Sequence, residues 1–144
     1  VAGLVAITAG CGNMTMAGGF FAGLIGGIIV VFSIEFIEKV LKIDDAIGAA
    51  SAHGVAGAWG TLVIGLWGVD GATGLGLFNG GGWNQLAIQG IGVAAYGAWA
   101  VATSLIVLYV LKATIGLRVS EEDEKAGLDI SEHDEASFGS EFLP

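Results

Sequence analysis

The stretch DAIGAASAHGVAGAWG, residues 45–60, sets one histidine inside an apolar run rich in glycine and alanine, which continues through TLVIGLW to Trp67. From Ala46 to Trp67 the run has the length and composition of a membrane span. The fold class turns on that reading, and the function turns on what His53 does inside such a span.

The rest of the chain agrees with it. Of 144 residues 54% are hydrophobic and 13% charged, and the mean hydropathy is +0.79, far to the apolar side of soluble domains. The formal charge of −9 is a local property, because nine of the fourteen acids lie beyond residue 116 (Glu121, Glu122, Asp123, Glu124, Asp129, Glu132, Asp134, Glu135, Glu141). Only Arg118 and Lys125 oppose them there, so a nucleic-acid partner finds no basic footprint. The single Cys11 excludes an internal disulfide and reads as a small packed residue. The chain opens at Val1 in the middle of a hydrophobic run, with no initiator Met, basic n-region or cleavage-site pattern; the expectation is a piece whose N-terminal portion lies elsewhere.

With about 18 apolar residues as the length of a span, three segments qualify and one is cut short. Val1 to about Gly12 is the end of one span. Ala17 to about Ile37 is the next, with Glu35 at its end, followed by a charged turn holding Glu38, Lys39, Lys42, Asp44 and Asp45. Ala46–Trp67 is the third. Residues 68–82 contain seven glycines with Asp70 and Asn79, a composition of high backbone entropy that predicts an extramembrane loop, about 68–85, flanked by the interfacial aromatics Trp67 and Trp83. Leu86 to about Leu111 is the last span. Lys39, Lys42, Lys112 and Arg118 all fall on one side, so the positive-inside rule predicts a cytoplasmic tail. The organisation read here is a transmembrane region over 1–116 and an acidic cytoplasmic tail over 117–144.

Small residues recur every fourth position: Gly19, Gly23 and Gly27; Gly48, Ala52, Ala56 and Gly60; Gly90, Ala94, Ala98 and Ala102. Together they predict tight helix packing in a polytopic transmembrane bundle.

Asp44 or Asp45 is placed to cap the third span. Counted from Ala46, His53 lies roughly 10 Å inside a hydrocarbon core of about 30 Å. A charged imidazole there is costly, and a neutral one must find partners; it either locks helices together or lines a path for solute or protons. Nearby polar atoms are few: Ser51, Thr61, the backbone around Gly54 and Gly57, and Gln89, Thr103 and Ser104 on the last span. None of them makes a Ser/His/Asp set, a metal-ligand spacing or a carboxylate pair, so no catalytic residue, metal or cofactor is assigned. His133, among the tail acids, reads as solvated. What remains is an apolar-walled pore or carrier for a small solute able to exchange a hydrogen bond or proton with an imidazole.

Three segments carry a resemblance: GLVAITAGCG (3–12), DDAIGAASAHGVAGAWGTL (44–62) and GLRVSEEDEKAGLDISEHDEASF (116–138). Their order and spacing resemble the C-terminal part of ammonium transporters of the Amt/Mep/Rh family. The resemblance implies an eleven-helix, all-α fold in a trimer, resident in the cell membrane, each protomer conducting ammonium or ammonia through a narrow hydrophobic pore. This chain would supply the end of helix eight, then nine, ten, eleven and the cytoplasmic tail. It implies that His53 is the second of two pore histidines, with Asp44, Asp45 and Gly54 as its structural surroundings. It also implies that Arg118, Gly127 and Asp129 belong to a regulatory tail that packs beneath a neighbouring subunit, on a face where PII-type signalling proteins dock in bacterial members. Ser120 stands where many members have proline. The first pore histidine and the outer recruitment site of the family precede Val1. The rival expectation is a non-transporting membrane sensor that presents its acidic tail to a signalling partner.

Overall fold

The structure is a computed structural model that describes residues 1–69 and 74–133. Loop positions 70–73, with Asp70, and tail positions 134–144, with Asp134, Glu135, Glu141 and the end of the tail motif, lie outside the described residues. In chain order the elements are α1 (Ala2–Thr8), α2 (Met16–Glu35), a π-helical turn (Phe36–Val40), a second π-helical turn (Ala50–Val55), α3 (Ala56–Trp67), a 3-10 turn (Leu77–Asn79), α4 (Trp83–Thr114), α5 (Glu121–Ala126) and α6 (Leu128–His133). Among the described residues there is no strand. The chain divides into two compact units, Val1–Trp99 and Ala100–Pro144.

Among the described residues two helical stretches are long and apolar enough to cross a membrane, Met16–Val40 and Trp83–Thr114. At 1.5 Å per residue the second is about 48 Å long, more than the hydrocarbon core needs. Helix α2 starts where Thr15 caps it, the hydroxyl accepting from the Gly18 amide at 3.1 Å. It does not stop near Ile37 as expected but runs on through the π-helical turn to Val40, past an exposed Glu35–Lys39 ion pair of 3.2 Å. The third expected span needs a larger correction. It begins four residues after Ala46, its first six residues are π-helical, and its α-helical part is only 12 residues long.

In the first unit burial is the inverse of that in a soluble core. The buried apolar residues are mostly small (Ala2, Ala6, Ala22, Ala56), whereas Phe20, Phe32, Ile91 and Trp99 are exposed. This is how helices pack where lipid is as apolar as leucine: backbones approach closely, and large side chains face outward. The junction is Ala6, fully buried. On α2, a Cβ at Gly26 would collide with that of Ala6; on α3, a Cβ at Gly60 would lie 2.5 Å from the Ala6 carbonyl oxygen. Trp59 ties α3 to α2 by donating its indole N–H to the Ala22 carbonyl at 3.0 Å. Gly18 lies against Trp67, Gly26 against Trp59, and Ser33 against Ser51. The helical run 50–67 is therefore antiparallel to α2.

The small-residue seams correct the expectation in two places. On α2 the buried stripe is Gly18, Ala22 and Gly26, one position before the expected Gly19, Gly23 and Gly27, of which Gly23 also packs closely, against the Gly3 backbone of α1. Both registers are small, so periodicity could not choose between them; contact with Ala6 and Trp59 does. On α4, Ala94, Ala98 and Ala102 are exposed, and a Cβ at Gly90 would meet nothing within 4 Å. On the third run Gly48, Ala56 and Gly60 are buried and Ala52 half-buried.

The described part of the glycine-rich loop is closed by hydrogen bonds. The Asn79 side-chain amide donates to the carbonyls of Trp67 (2.9 Å) and Gly68 (3.1 Å), and the Val69 backbone N–H reaches back to the Asn13 carbonyl at 2.8 Å. Trp67, at the end of α3, is half-buried and packs edge-on with Trp59 and tilted on the exposed Phe78. Trp83 is 71% exposed at the start of α4. Cys11, expected to be packed, is exposed in the turn between α1 and α2.

In the second unit, residues 100–114 complete α4, and the tail folds into α5 and α6. Ser120 caps α5 by accepting from the Asp123 amide at 3.1 Å while its hydroxyl donates to the Asp123 carboxylate at 2.6 Å. The Ser-Glu-Glu-Asp run over 120–123 is a capping-box pattern, legible in the sequence although it was not read there. Replacing Ser120 with alanine removes both bonds and costs about 1 kcal/mol of local helix stability. Amide hydrogen exchange over Glu121–Ala126 is expected to quicken several-fold.

Candidate functional site

The polar groups around His53 are assembled by the turn that precedes it. Gly48 adopts φ +67°, which an L side chain rarely tolerates, and its amide donates to the Asp45 carbonyl at 2.6 Å. That turn brings the Asp45 carboxylate over the open end of the next helix, where it accepts from the amides of Ala50 (2.9 Å) and Ser51 (3.1 Å). The bonds reach five and six residues ahead, which fits a widened π-helical turn rather than an ordinary α-helical start. Asp44, the other expected cap, is exposed and hydrogen-bonds to no described residue.

Asp45 is 6% exposed. The Ala50 amide holds its carboxyl below the ordinary value near 3.8; desolvation opposes this, and the Ser51 hydroxyl with the amides of Ser51 and Ala49 reinforces it. A depressed folded-state pKa means that the charge stabilises the turn fully above about pH 4 and that this contribution is lost as pH falls through the folded value. Asp45→Asn is therefore expected to lower the melting temperature at pH 7 and to flatten the stability profile on its acid side, below about pH 4. A variant that keeps the wild-type acid slope would show that Asp45 is not the cap.

Ser51 is fully buried and accepts from the Ser33 hydroxyl at 3.0 Å, tying the π-helical turn to α2. His53 follows two residues later and is exposed, with no described residue hydrogen-bonding to its imidazole. At the end of the turn the Ala56 amide is shared between the carbonyls of His53 and Ser51, where the winding returns to α-helical. π-helical turns of this kind cluster at functional sites, because they free backbone groups and re-aim a side chain. Gly54, beside the imidazole, is also exposed, and a Cβ there would meet nothing within 4 Å. The surface next to His53 is thus bare backbone.

The same contacts place His53 along α2. Ser33, at the level of Ser51, lies two residues before Glu35, and His53 lies two residues further along the antiparallel run, so the imidazole is about 6 Å from the level of Glu35 along α2.

The tail residues singled out from the sequence lie together in the second unit. Arg118 pairs with Glu124, and Lys125 with Glu121 at 2.7 Å. Gly127 closes α5 at φ +95°, its amide donating to the Asp123 carbonyl at 3.0 Å, and Asp129 stands in the first turn of α6. Leu117, Val119 and Leu128 line a shallow cavity of about 320 Å³ with Arg118 and Glu124. The conformation demanded at residue 127 is one that glycine adopts freely, so a side chain there would strain the α5–α6 corner.

Helices with small residues inside and large ones outside, two of those described long enough to span a bilayer, agree with an all-α membrane protein, the class that the family match below shows. The sequence profile described as Ammonium Transporter Family matches residues 1–138. The ammonium transporter Amt1 of Haloferax mediterranei is 40% identical over 133 residues, covering 92% of this chain and 24% of its own. Amt2 of Archaeoglobus fulgidus is 39% identical over 142 residues, 92% of this chain and 30% of its own. The ammonium transporter of Mycobacterium tuberculosis is 36% identical over 146 residues, 96% of this chain and 30% of its own. This chain belongs to the ammonium transporter family. It spans about a quarter to a third of the length of these curated relatives. All three relatives are named as transporters.

Proposed function

We propose that the protein conducts ammonium or ammonia across a cell membrane through an apolar pore, and that His53 lines that pore. The observation that carries this is the exposed imidazole on a π-helical turn, anchored from behind by Asp45, Ser51 and Ser33 and flanked by the bare backbone of Gly54. A histidine serving only to lock helices would spend its ring nitrogens on neighbouring helices; here the serines and the aspartate do the locking. A neutral imidazole can accept a hydrogen bond from one solute molecule and donate to the next, and can exchange a proton with either. That suits a small hydrogen-bonding solute.

The same reading takes the protein as a homotrimer with a cytoplasmic tail. Membership of the family and the basic residues Lys39, Lys42, Lys112 and Arg118 support it. The tail, with Arg118, Gly127 and Asp129, would then act as its regulatory segment and could meet a PII-type signalling protein at that face. The deciding experiment is ammonium-dependent current and methylammonium uptake in liposomes carrying the protein. Conduction that depends on His53 supports the proposal; no conduction where a control transporter conducts would leave a sensor.

A further inference from the structure

The chain has one cysteine and two methionines, and all three fall within six residues, Cys-Gly-Asn-Met-Thr-Met over 11–16. All three line one cavity of about 200 Å³ beside the α1–α2 turn, together with Gly10, Thr15 and Gly19. The lining holds no carboxylate, imidazole or amine. Cys11 is exposed and Met16 is 95% exposed, so the thiol and one thioether are open to solvent. Met14 folds over Gly10: a Cβ at residue 10 would lie 3.0 Å from its sulfur and would collide with its terminal methyl. The backbone of the turn is held independently of any ligand. Asn13 donates to the Gly10 carbonyl at 2.9 Å, Val69 donates to the Asn13 carbonyl at 2.8 Å, and Thr15 caps α2.

From this geometry we infer that the α1–α2 turn is a binding site for a soft monovalent cation, Cu(I) being the natural occupant, held by the Cys11 thiolate and the thioethers of Met14 and Met16. One thiolate and two thioethers are the donor set that favours Cu(I) over hard oxygen-seeking cations, and three donors suit its low coordination number. Binding releases the Cys11 thiol proton to solvent and forms one sulfur–copper bond to the thiolate. Two further bonds use thioether lone pairs, and no electron is transferred. The inference is independent of the transport reading, because the turn shares no residue with the His53 site.

The test is a titration of the purified full protein in detergent with Cu(I), under anaerobic, thiol-free reduction and in competition with bicinchoninate. Zn(II) serves as the borderline control. Wild type is expected to withdraw one equivalent of Cu(I) that depends on this turn, with a sulfur-only shell by X-ray absorption and no comparable site for Zn(II). Cys11→Ser should weaken that binding by about a hundredfold or more, and Met16→Leu by about tenfold. Met16 is almost wholly exposed, so its replacement tests the site without disturbing packing. Cu(I) binding unchanged in Cys11→Ser, or unchanged in the Met14→Leu/Met16→Leu double variant, would overturn the inference: the first shows copper held elsewhere, the second a lone thiol.

Discussion

Replacing His53 with alanine should reduce ammonium-dependent current in liposomes by roughly five- to hundredfold. The physical basis is the asymmetry of hydrogen bonding in a water-poor passage. A solute that has shed its hydration and finds no partner at one position loses about 1–3 kcal/mol there, and each 1.4 kcal/mol is a factor of ten in rate. Asp45, Ser51 and Ser33 anchor the turn without using the imidazole, so the variant should keep its fold and its thermal transition. His53→Gln separates the two tasks of the ring: an amide can still exchange hydrogen bonds but cannot carry a proton. It should conduct better than the alanine variant and lose whatever pH dependence of the current the imidazole confers. Wild-type flux, selectivity and pH dependence in His53→Ala would remove His53 from the pore.

A large structural effect is expected at Gly60, on the far side of the same helical run. A Cβ there lies 2.5 Å from the Ala6 carbonyl oxygen, 2.9 Å from its carbon and 3.0 Å from its Cα. All three are backbone atoms, and none can rotate away. Ala6 is itself fully buried against Gly26, so α1 cannot retreat without losing that contact. Overpacking against mobile side chains costs about 1–3 kcal/mol, and against backbone the lower end of that range is out of reach. Gly60→Val must separate α1 from α3, and any accompanying shift of α3 would strain the Trp59 indole bond to α2. The expected result is a protein that no longer elutes as a single species in detergent, with Gly60→Ala melting at clearly lower temperature. Gly27→Ala, on α2 at a position where a Cβ meets nothing within 4 Å, is the matched control and should be neutral or slightly stabilising. Equal behaviour of Gly60→Ala and Gly27→Ala would refute the packing assigned to Ala6.

These two sites show where sequence reading reaches and where it stops. The span read as Ala17–Ile37 is the helix Met16–Glu35 with its π-helical extension, and the span read as Leu86–Leu111 is α4 with three more residues at each end. Hydropathy and length are sums over neighbouring residues, and a sum of local terms survives any tertiary arrangement. His53 could be singled out in the same way, as the one imidazole in an apolar run. That its turn is π-helical could not, because the Asp45 bonds that open the turn depend on the backbone conformation of Gly48 and on the pairing of Ser51 with Ser33 across 18 residues. The choice between Asp44 and Asp45 depended on the same turn.

By itself, then, the sequence determined which segments are apolar enough to leave water, where the one imidazole among them stands, and, through its motifs, the family to which the chain belongs. Only the tertiary structure decided which of two equally small stripes on α2 is the seam, and that the three sulfur side chains around residues 11–16 share one cavity. It alone decided that Asp45 rather than Asp44 holds the turn on which the imidazole sits. Glycine and alanine permit close approach on every face that carries them; the partner backbone that takes up the offer is a non-local fact, set by Ala6 meeting Gly26 and Gly60 at once.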